Sequence, residues 1–492
     1  MTDISREMAL KILFDVNEKG AYSNIAIDKH LKDSNLRGLD KSFITGLVYG
    51  TIQWKLTIDW VIAQFSNIPI NKLSPWILNI LRLGTYQLLF TDKIPEFAAC
   101  NESVNLALKY GHTGSAGFVN AVLRNITRQR FNIKYPDRNS MPEKFLSIKY
   151  SHPEWMISRW LNFFGEDFTE GLLQSNNEIP DFTVRINTLR ISPEVFKKKL
   201  EEKDIEYSNG RYIENAVSIK NPSALINSDL NNKGYFYVQD EASMLVPIIL
   251  DPKPNEIVAD VCAAPGGKST HIAELMGNKG IVISRDIHPH KIELIKKNAE
   301  KLGINIIKTE LQDAASLSDG QQECRRNSQQ DCRRNSQQNT CRDRQKDACQ
   351  DSHRDNRQDS QYVMKADRVL VDAPCSGSGI IRRKPEIKWN RTPEQNEEIK
   401  KLQFKILTTS SKYVKIGGTL VYSTCSIEPD ENIETVRNFL KSNNEFELTG
   451  FDELLPMSLA YAHETAKDGY INLFPNIDKT DGFFIAKMTR KS

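Results

Sequence analysis

"DVCAAPGGKST", Asp260–Thr270, nearly spells a phosphate-binding loop. Gly267, Lys268 and Ser269 fit the end of the pattern G-x-x-x-x-G-K-[ST], whose backbone N–H groups cradle phosphates. The first glycine of that pattern falls at position 262, where Cys262 stands. The stretch is either a nucleoside-triphosphate loop that has lost a glycine or an intact loop for another ligand. Around it the sequence predicts a strand ending at Asp260, a glycine turn, and a helix opening near Ser269. That order places backbone donors and a helix N-terminus at the carboxyl edge of a parallel sheet, where nucleotide-like ligands bind.

Downstream, the short apolar runs "EIVADV", "GIVISRD", "RVLVDAP" and "GGTLVYSTC" each end in polar or small residues. Helical stretches such as "HKIELIKKNAEKLG" and "QNEEIKKLQFKILTTSSKYVK" separate them. Buried parallel strands with crossover helices have this pattern, so residues 251–492 are expected to form one α/β domain, closed by the strand "GFFIAKM". Upstream, Ile4, Met8, Ile12, Leu13 and Val16 recur at helical spacing. Residues 1–130 are expected to form an all-α bundle of five to seven helices, one of them opened by Pro75. Arg124, Arg128 and Arg130 collect near its end. Residues 131–250 read as a small α+β connecting domain, with a helix in "PEWMISRWLNFFG", a strand in "FTVRINTL", and a helix start at Ser192-Pro193. One segment breaks the rhythm. Residues 320–361 carry an imperfect octapeptide repeat, "CRRNSQQD" then "CRRNSQQN", with no aromatic residue and Ala348 as the one aliphatic. Such a segment buries too little apolar surface to offset the entropy of ordering and reads as a disordered insertion, lengthening a surface loop at small closure cost.

Composition narrows the class. A chain of 492 residues implies two or three domains. No apolar run approaches the roughly 20 residues a membrane helix needs. Asp3 and Glu7 stand where a signal peptide would be basic, so a cytoplasmic location and no membrane partner are expected. The net charge of +3 neither demands nor excludes nucleic acid. The eight cysteines read as thiols, and with no C-x-x-C pair among them no metal site is expected.

Three further positions gather chemistry at the same sheet edge. Asp286 ends a second strand about twenty residues past the glycines, where an acid accepts hydrogen bonds from ribose hydroxyls. Asp313, in "LQDA", follows a third apolar stretch, within reach of an adenine amino group. In "RVLVDAPCSGSGIIRRKPEIKW" a strand delivers Asp372, Pro374 stiffens the turn, and Cys375 projects into the cleft. Arg382, Arg383, Lys384, Lys388 and Trp389 follow; basic side chains beside an aromatic ring suit a polynucleotide, although a plain solvated loop has the same composition. In "GGTLVYSTCSIEPDEN" Cys425 ends another strand. A lone cysteine is ordinarily a small buried hydrophobe. Two at strand tips beside a cofactor loop, with a carboxylate, fit methylation of cytosine. Carbon-5 of cytosine is too weak a nucleophile until a thiolate adds at carbon-6 and makes the ring enamine-like; a carboxyl group near N3 and N4 stabilises the activated ring. Spacing alone leaves open which thiol attacks.

"CAAPGGK", "DAPCSGSG" with "RRKPEIKW", and "STCS" followed by "PDEN" together resemble the signature blocks of the NOL/NOP/Sun family of RNA cytosine-5 methyltransferases. The N-terminal helices, with "FVNAVLRNI" near their end, resemble a NusB-type RNA-binding domain. The resemblance covers the chain outside 320–361. It implies a Rossmann-like methyltransferase domain and S-adenosylmethionine as cofactor, lined by Cys262, Ala263, Ala264, Pro265, Gly266, Gly267 and Lys268. It implies that Asp286 holds the ribose, Asp313 approaches the adenine, and Asp372 lies between cofactor and cytosine. It makes Cys425 the nucleophile and Cys375 the thiol that assists release. One branch of the family implies 16S ribosomal RNA as the partner of a monomeric enzyme. A different RNA such as tRNA, a P-loop ATPase and a non-catalytic RNA-binding factor are the rival readings; the ATPase leaves both strand-tip cysteines without a task.

Overall fold

The computed structural model describes residues 3–32, 34, 36–317 and 365–491, so the repeat at 320–361 lies outside the described residues. The N-terminal part is a helical bundle of α1 Ile4–Lys19, α2 Ser23–Leu31, α3 Gly38–Gln53, α4 Lys55–Phe65, α5 Pro75–Phe90, α6 Glu96–Tyr110 and α7 Thr113–Gln129. The expected helical spacing supplies its core: Ala9, Leu10, Ile12, Leu13 and Val16 of α1 are buried against Ile80, Leu81 and Leu83 of α5 and Val119, Val122 and Leu123 of α7. Asp3 caps α1 by accepting from the backbone N–H groups of Ser5 and Arg6. Ser74 caps α5, with Pro75 in its first turn where a missing N–H costs nothing.

Three helices follow, α8 Pro142–Tyr150, α9 Glu154–Phe164 and α10 Glu166–Asn176. They lead into an antiparallel four-stranded sheet, in the order β2-β3-β1-β4, of β1 Thr183–Ile186, β2 Tyr207–Asn209, β3 Ala216–Ile219 and β4 Phe236–Val238. Helix α11, Pro193–Glu201, carries the expected Ser192 cap and packs Phe196 and Leu200 on this sheet. Short helices α12 Pro222–Ile226 and α13 Asp229–Asn232 and the apolar α14 Glu241–Leu250 complete the passage to the last unit.

The C-terminal sheet runs β10-β12-β9-β8-β5-β6-β7, with β11 paired to β12. Its parallel core is β5 Ile257–Asp260, β6 Ile281–Asp286, β7 Ile307–Leu311, β8 Ala366–Asp372 and β9 Val414–Thr424. The antiparallel addition is β10 Phe446–Leu448, β11 Tyr470–Leu473 and β12 Phe483–Arg490. The closing strand "GFFIAKM" is thus β12, paired to β9; β10 and β11 are too short to stand out by period. Helices α15 Gly267–Leu275 and α16 Pro289–Leu302 cross over between the first strands. Strand β5 lies between β6 and β8, so the chain leaves it in one direction and later returns on its other side. A parallel sheet opens a crevice at the carboxyl ends of such a pair of strands. No helix among the described residues is long and apolar enough to cross a membrane.

Candidate active site

The crevice collects the tips of β5, β6, β7, β8 and β9. At β5, Asp260 is fully buried; its Oδ2 accepts from Ser269 Oγ at 2.6 Å, and its Oδ1 meets no partner at hydrogen-bond distance among the described residues. Burial pushes its carboxyl up to about 7, with the nearby Asp372 carboxylate adding to the effect. Gly266 turns the loop with φ +102°, a conformation side chains avoid, and α15 begins at Gly267. A Cβ at Gly267 would stand 2.9 Å from the Tyr237 ring. Cys262, Ala263, Ala264 and Pro265 form the rest of the turn, which the Ala263 N–H anchors to the Arg285 carbonyl at 2.8 Å. The Cys262 thiol is pushed well above its ordinary value by burial and then by Asp260, Asp372 and Asp286, which suits a packed, unreactive thiol.

Asp286 ends β6 buried, accepting from the His288 N–H at 3.1 Å. Asp313 follows β7 exposed, accepting from the Ala315 N–H at 2.9 Å. The orphaned Asp260 oxygen, the glycine turn and the carboxylates at the ends of β5, β6 and β8 fit a ligand with hydroxyl, amine and cationic groups. They are a poor match for a triphosphate, which acids repel. Lys268, the residue a P-loop would aim at phosphate, instead donates to Asp372 Oδ2 at 2.7 Å and lies 4.9 Å from the Phe483 ring centre. Ser423 Oγ donates to Asp372 Oδ1 at 2.9 Å, so both oxygens of this carboxylate are oriented.

Past Asp372, Cys375 meets Cys425 with Sγ atoms 3.2 Å apart. Both are free thiols with partial exposure. The Cys375 thiol is held well above its ordinary value by its hydrogen bond to Cys425, then by burial, then by the Glu431 and Asp372 carboxylates. Beneath the thiols lies a polar cluster that the sequence reading left unassigned. Glu431 Oε2 accepts from the Ser376 N–H at 2.8 Å and from Gln403 Nε2 at 2.9 Å. Its Oε1 accepts from Ser426 Oγ at 2.9 Å. Asn432 donates to the Ser426 carbonyl at 2.8 Å. Its signal in the sequence is the "PDEN" block, two acids and an amide just past a strand tip.

The basic stretch after Cys375 departs from the expected polynucleotide surface. Arg382 and Arg383 both pair with Asp481, and Arg383 also donates to Asp240 at 2.7 Å. Lys388 is buried and donates to the Gln53 carbonyl at 2.7 Å; Trp389 Nε1 donates to the Ile52 carbonyl at 2.8 Å. Lys384 is the exposed one among the five. The physical reason is that a helix leaves its last carbonyls unpaired, and the end of α3 finds its donors in this loop.

Comparison with known proteins follows the same division of the chain. Residues 3–128 match the NusB family, and residues 247–331 and 315–489 match 16S rRNA methyltransferase RsmB/F. Residues 152–225 match the ferredoxin-like domain of RsmF/B-like methyltransferases. The chain is 36% identical over 487 residues to the probable ribosomal RNA small subunit methyltransferase B of Bacillus subtilis, covering 99% of this chain and 98% of that one. It is 31% identical over 491 residues to the protein of the same name from Synechocystis, covering 99% of each. Among solved structures, a methyltransferase homolog from Pyrococcus horikoshii is 25% identical with a TM-score of 0.54, covering 73% of this chain and all of that one.

Proposed function

The chain belongs to the 16S rRNA methyltransferase RsmB/F family, and from that premise we propose that it methylates carbon-5 of a cytosine in small-subunit ribosomal RNA, through a covalent bond between Cys425 and carbon-6 of the base. The observation that carries the reading is the thiol pair, 3.2 Å apart beside an oriented Asp372 carboxylate. S-adenosylmethionine, when bound, supplies an electrophilic methyl group on a sulfonium. The Cys262–Lys268 turn, Asp260 and Asp286 would hold it, with Asp313 beside its adenine. The Cys425 thiolate adds at carbon-6, and the electron pair displaced to carbon-5 would take that methyl group as its bond to sulfur breaks, leaving the neutral thioether. The Cys375 sulfur, 3.2 Å away, is placed to share a hydrogen bond with the Cys425 sulfur. Asp372, held by Lys268 and Ser423, faces N3 and the N4 amine and stabilises the activated ring. A base then takes the carbon-5 proton, the freed electron pair re-forms the double bond between carbons 5 and 6, and the carbon–sulfur bond breaks to release Cys425, with the Cys375 thiol beside the leaving sulfur. One difficult substitution becomes an addition, a transfer and an elimination.

The test uses 16S rRNA and labelled S-adenosylmethionine. Cys425→Ala is expected to abolish methyl transfer while RNA binding persists. Cys375→Ala is expected to accumulate a protein–RNA adduct that survives denaturing gels. An adduct formed by Cys425→Ala would overturn the assignment of the nucleophile. Stabilisation of the protein by ATP–Mg²⁺ but not by S-adenosylhomocysteine would overturn the reading as a whole.

A further inference from the structure

The two thiols sit on different loops, one after β8 and one after β9, and each loop is fixed at the residue that follows its cysteine. The Ser376 N–H and the Ser426 hydroxyl bind opposite oxygens of a single carboxylate, that of Glu431. The same two residues are joined a second time, Ser376 Oγ to Ser426 Oγ at 3.1 Å, and Ser378 Oγ reaches Ser426 Oγ at 3.1 Å. Gln403, from the long helix Pro393–Ser411, donates both to Glu431 Oε2 and to the Pro374 carbonyl immediately before Cys375. The Tyr422 hydroxyl, from β9, donates to the Glu431 carbonyl at 2.7 Å. Glu431 is 1% exposed and no cation among the described residues is bonded to it, which is costly for a carboxylate unless its hydrogen bonds are satisfied and its charge is used.

We propose that Glu431 is the positioning residue of the thiol pair: its carboxylate clamps the residues following Cys375 and Cys425 so that their sulfurs meet, and its negative charge keeps Cys375 a thiol rather than a thiolate. The second part follows from Coulomb's law. An anion buried beside a thiol opposes its ionisation. The carboxylate contributes directly to the raised Cys375 thiol. A pair in which one partner stays protonated presents one nucleophile and one hydrogen-bond donor, whereas two thiolates at this separation would repel. This inference rests on the proposed covalent mechanism for its purpose, but its first readout needs neither RNA nor cofactor.

That readout is the pH dependence of Cys375 alkylation by iodoacetamide, followed on its own peptide by mass spectrometry in a Cys425→Ala background. Adding Glu431→Gln is expected to lower the midpoint by about one pH unit, as for removal of a nearby like charge. In the otherwise native chain, Glu431→Gln is expected to cut kcat for methyl transfer on the order of 100-fold, the scale of an ångström misplacement, with RNA affinity unchanged. Glu431→Asp separates the two effects and serves if the glutamine variant does not fold. It keeps the charge but withdraws the clamp by one methylene, so kcat falls and the alkylation midpoint stays. An unmoved midpoint in Glu431→Gln, or native kcat in Glu431→Asp, overturns the proposal. A native protein that methylates no RNA would instead sink the function while leaving the alkylation result intact.

Discussion

Asp260 shows how one side chain records the task of the crevice. A buried carboxyl group with one oxygen bonded to Ser269 and the other without a partner among the described residues is an unfavourable element of the fold. Its carboxyl, pushed up to about 7 by burial, is raised above the unfolded value. Between the unfolded and folded values the native state holds more protons than the unfolded chain. Stability therefore falls as pH rises from about 4 to about 7 and levels off above, with a slope from this group of at most about 1.4 kcal/mol per pH unit. Asp260→Asn removes that slope and leaves an amide able to accept from Ser269. Denaturant titrations at pH 5 and pH 7.5 are expected to show the variant gaining on the native protein at the higher pH. An equal difference at both would mean that Asp260 is ionised in the fold. On the proposed reading Asp260 helps hold the cofactor, so S-adenosylhomocysteine is expected to stabilise the variant less.

At the scale of elements, α15 shows that the glycine turn is not built by its own domain alone. Arg185 of β1 is buried and pairs with Glu274 of α15 at 2.8 Å. It also donates to Thr270 Oγ1 and to the Gly267 carbonyl, each at 3.1 Å, and to Gln239. The antiparallel sheet thereby grips the helix whose N-terminus faces the crevice. Removing one partner of a buried pair strands the other, a loss of about 3–5 kcal/mol, whereas replacing both by apolar groups is often neutral. Arg185→Met is expected to destabilise by that amount and to weaken S-adenosylhomocysteine binding, and Arg185→Met with Glu274→Leu to recover most of the stability. Additive losses in this double-mutant cycle would mean the pair is uncoupled. The sequence made α15 itself legible, because a strand, a glycine turn and a helix leave local marks. The strand tips carrying Asp286, Asp372 and Cys425 were legible for the same reason, each apolar run stopping at a polar residue. The grip of Arg185 left no mark, since its partner lies 89 positions away and a lone arginine in "FTVRINTL" looks like any strand residue on a solvent face. "RRKPEIKW" misled for a related reason: a basic, aromatic loop has the same composition whether it meets phosphates or the carbonyls of another helix.

Over the whole molecule, each upstream unit holds a different part of the crevice. The antiparallel sheet holds α15. Helix α9 holds the segment after Cys425, through Arg159 to Glu428 at 2.5 Å and Asp430 at 2.8 Å and through Trp160 Nε1 to Glu428 at 2.8 Å. The helical bundle holds the segment after Cys375. Ser23 donates to Glu386 from both its N–H and its hydroxyl, Ile52 and Gln53 accept from Trp389 and Lys388, and the Trp389 ring packs against the bundle core. A bundle that served only as an RNA handle would need none of these buried contacts. The joint is expected to make the bundle and the C-terminal sheet unfold together, and Trp389 is the residue to test. Trp389→Ala removes an indole from the joint, a change that costs about 3–5 kcal/mol when fully buried and less here, where the ring is half-buried. It also leaves the Ile52 carbonyl without its donor. Two transitions are expected in place of one, loss of helical circular dichroism from the bundle preceding exposure of the Cys375 and Cys425 thiols to a chromogenic disulfide. Methyl transfer is expected to fall across the first transition, before the catalytic sheet has melted. One coincident transition at the native midpoint, with activity lost only when the sheet unfolds, would show that the bundle is a passive neighbour. Lys388→Met supplies the contrast on the same joint. Burial holds the Lys388 ammonium well below its ordinary value, so its neutralisation penalises the fold at neutral pH, and the penalty fades as pH rises toward the value of an exposed lysine. Methionine keeps the apolar stem and carries no such penalty, which offsets the loss of the donor to the Gln53 carbonyl. This variant is therefore expected to keep the single transition and to match or exceed native stability at pH 7, with that advantage shrinking by pH 9.5.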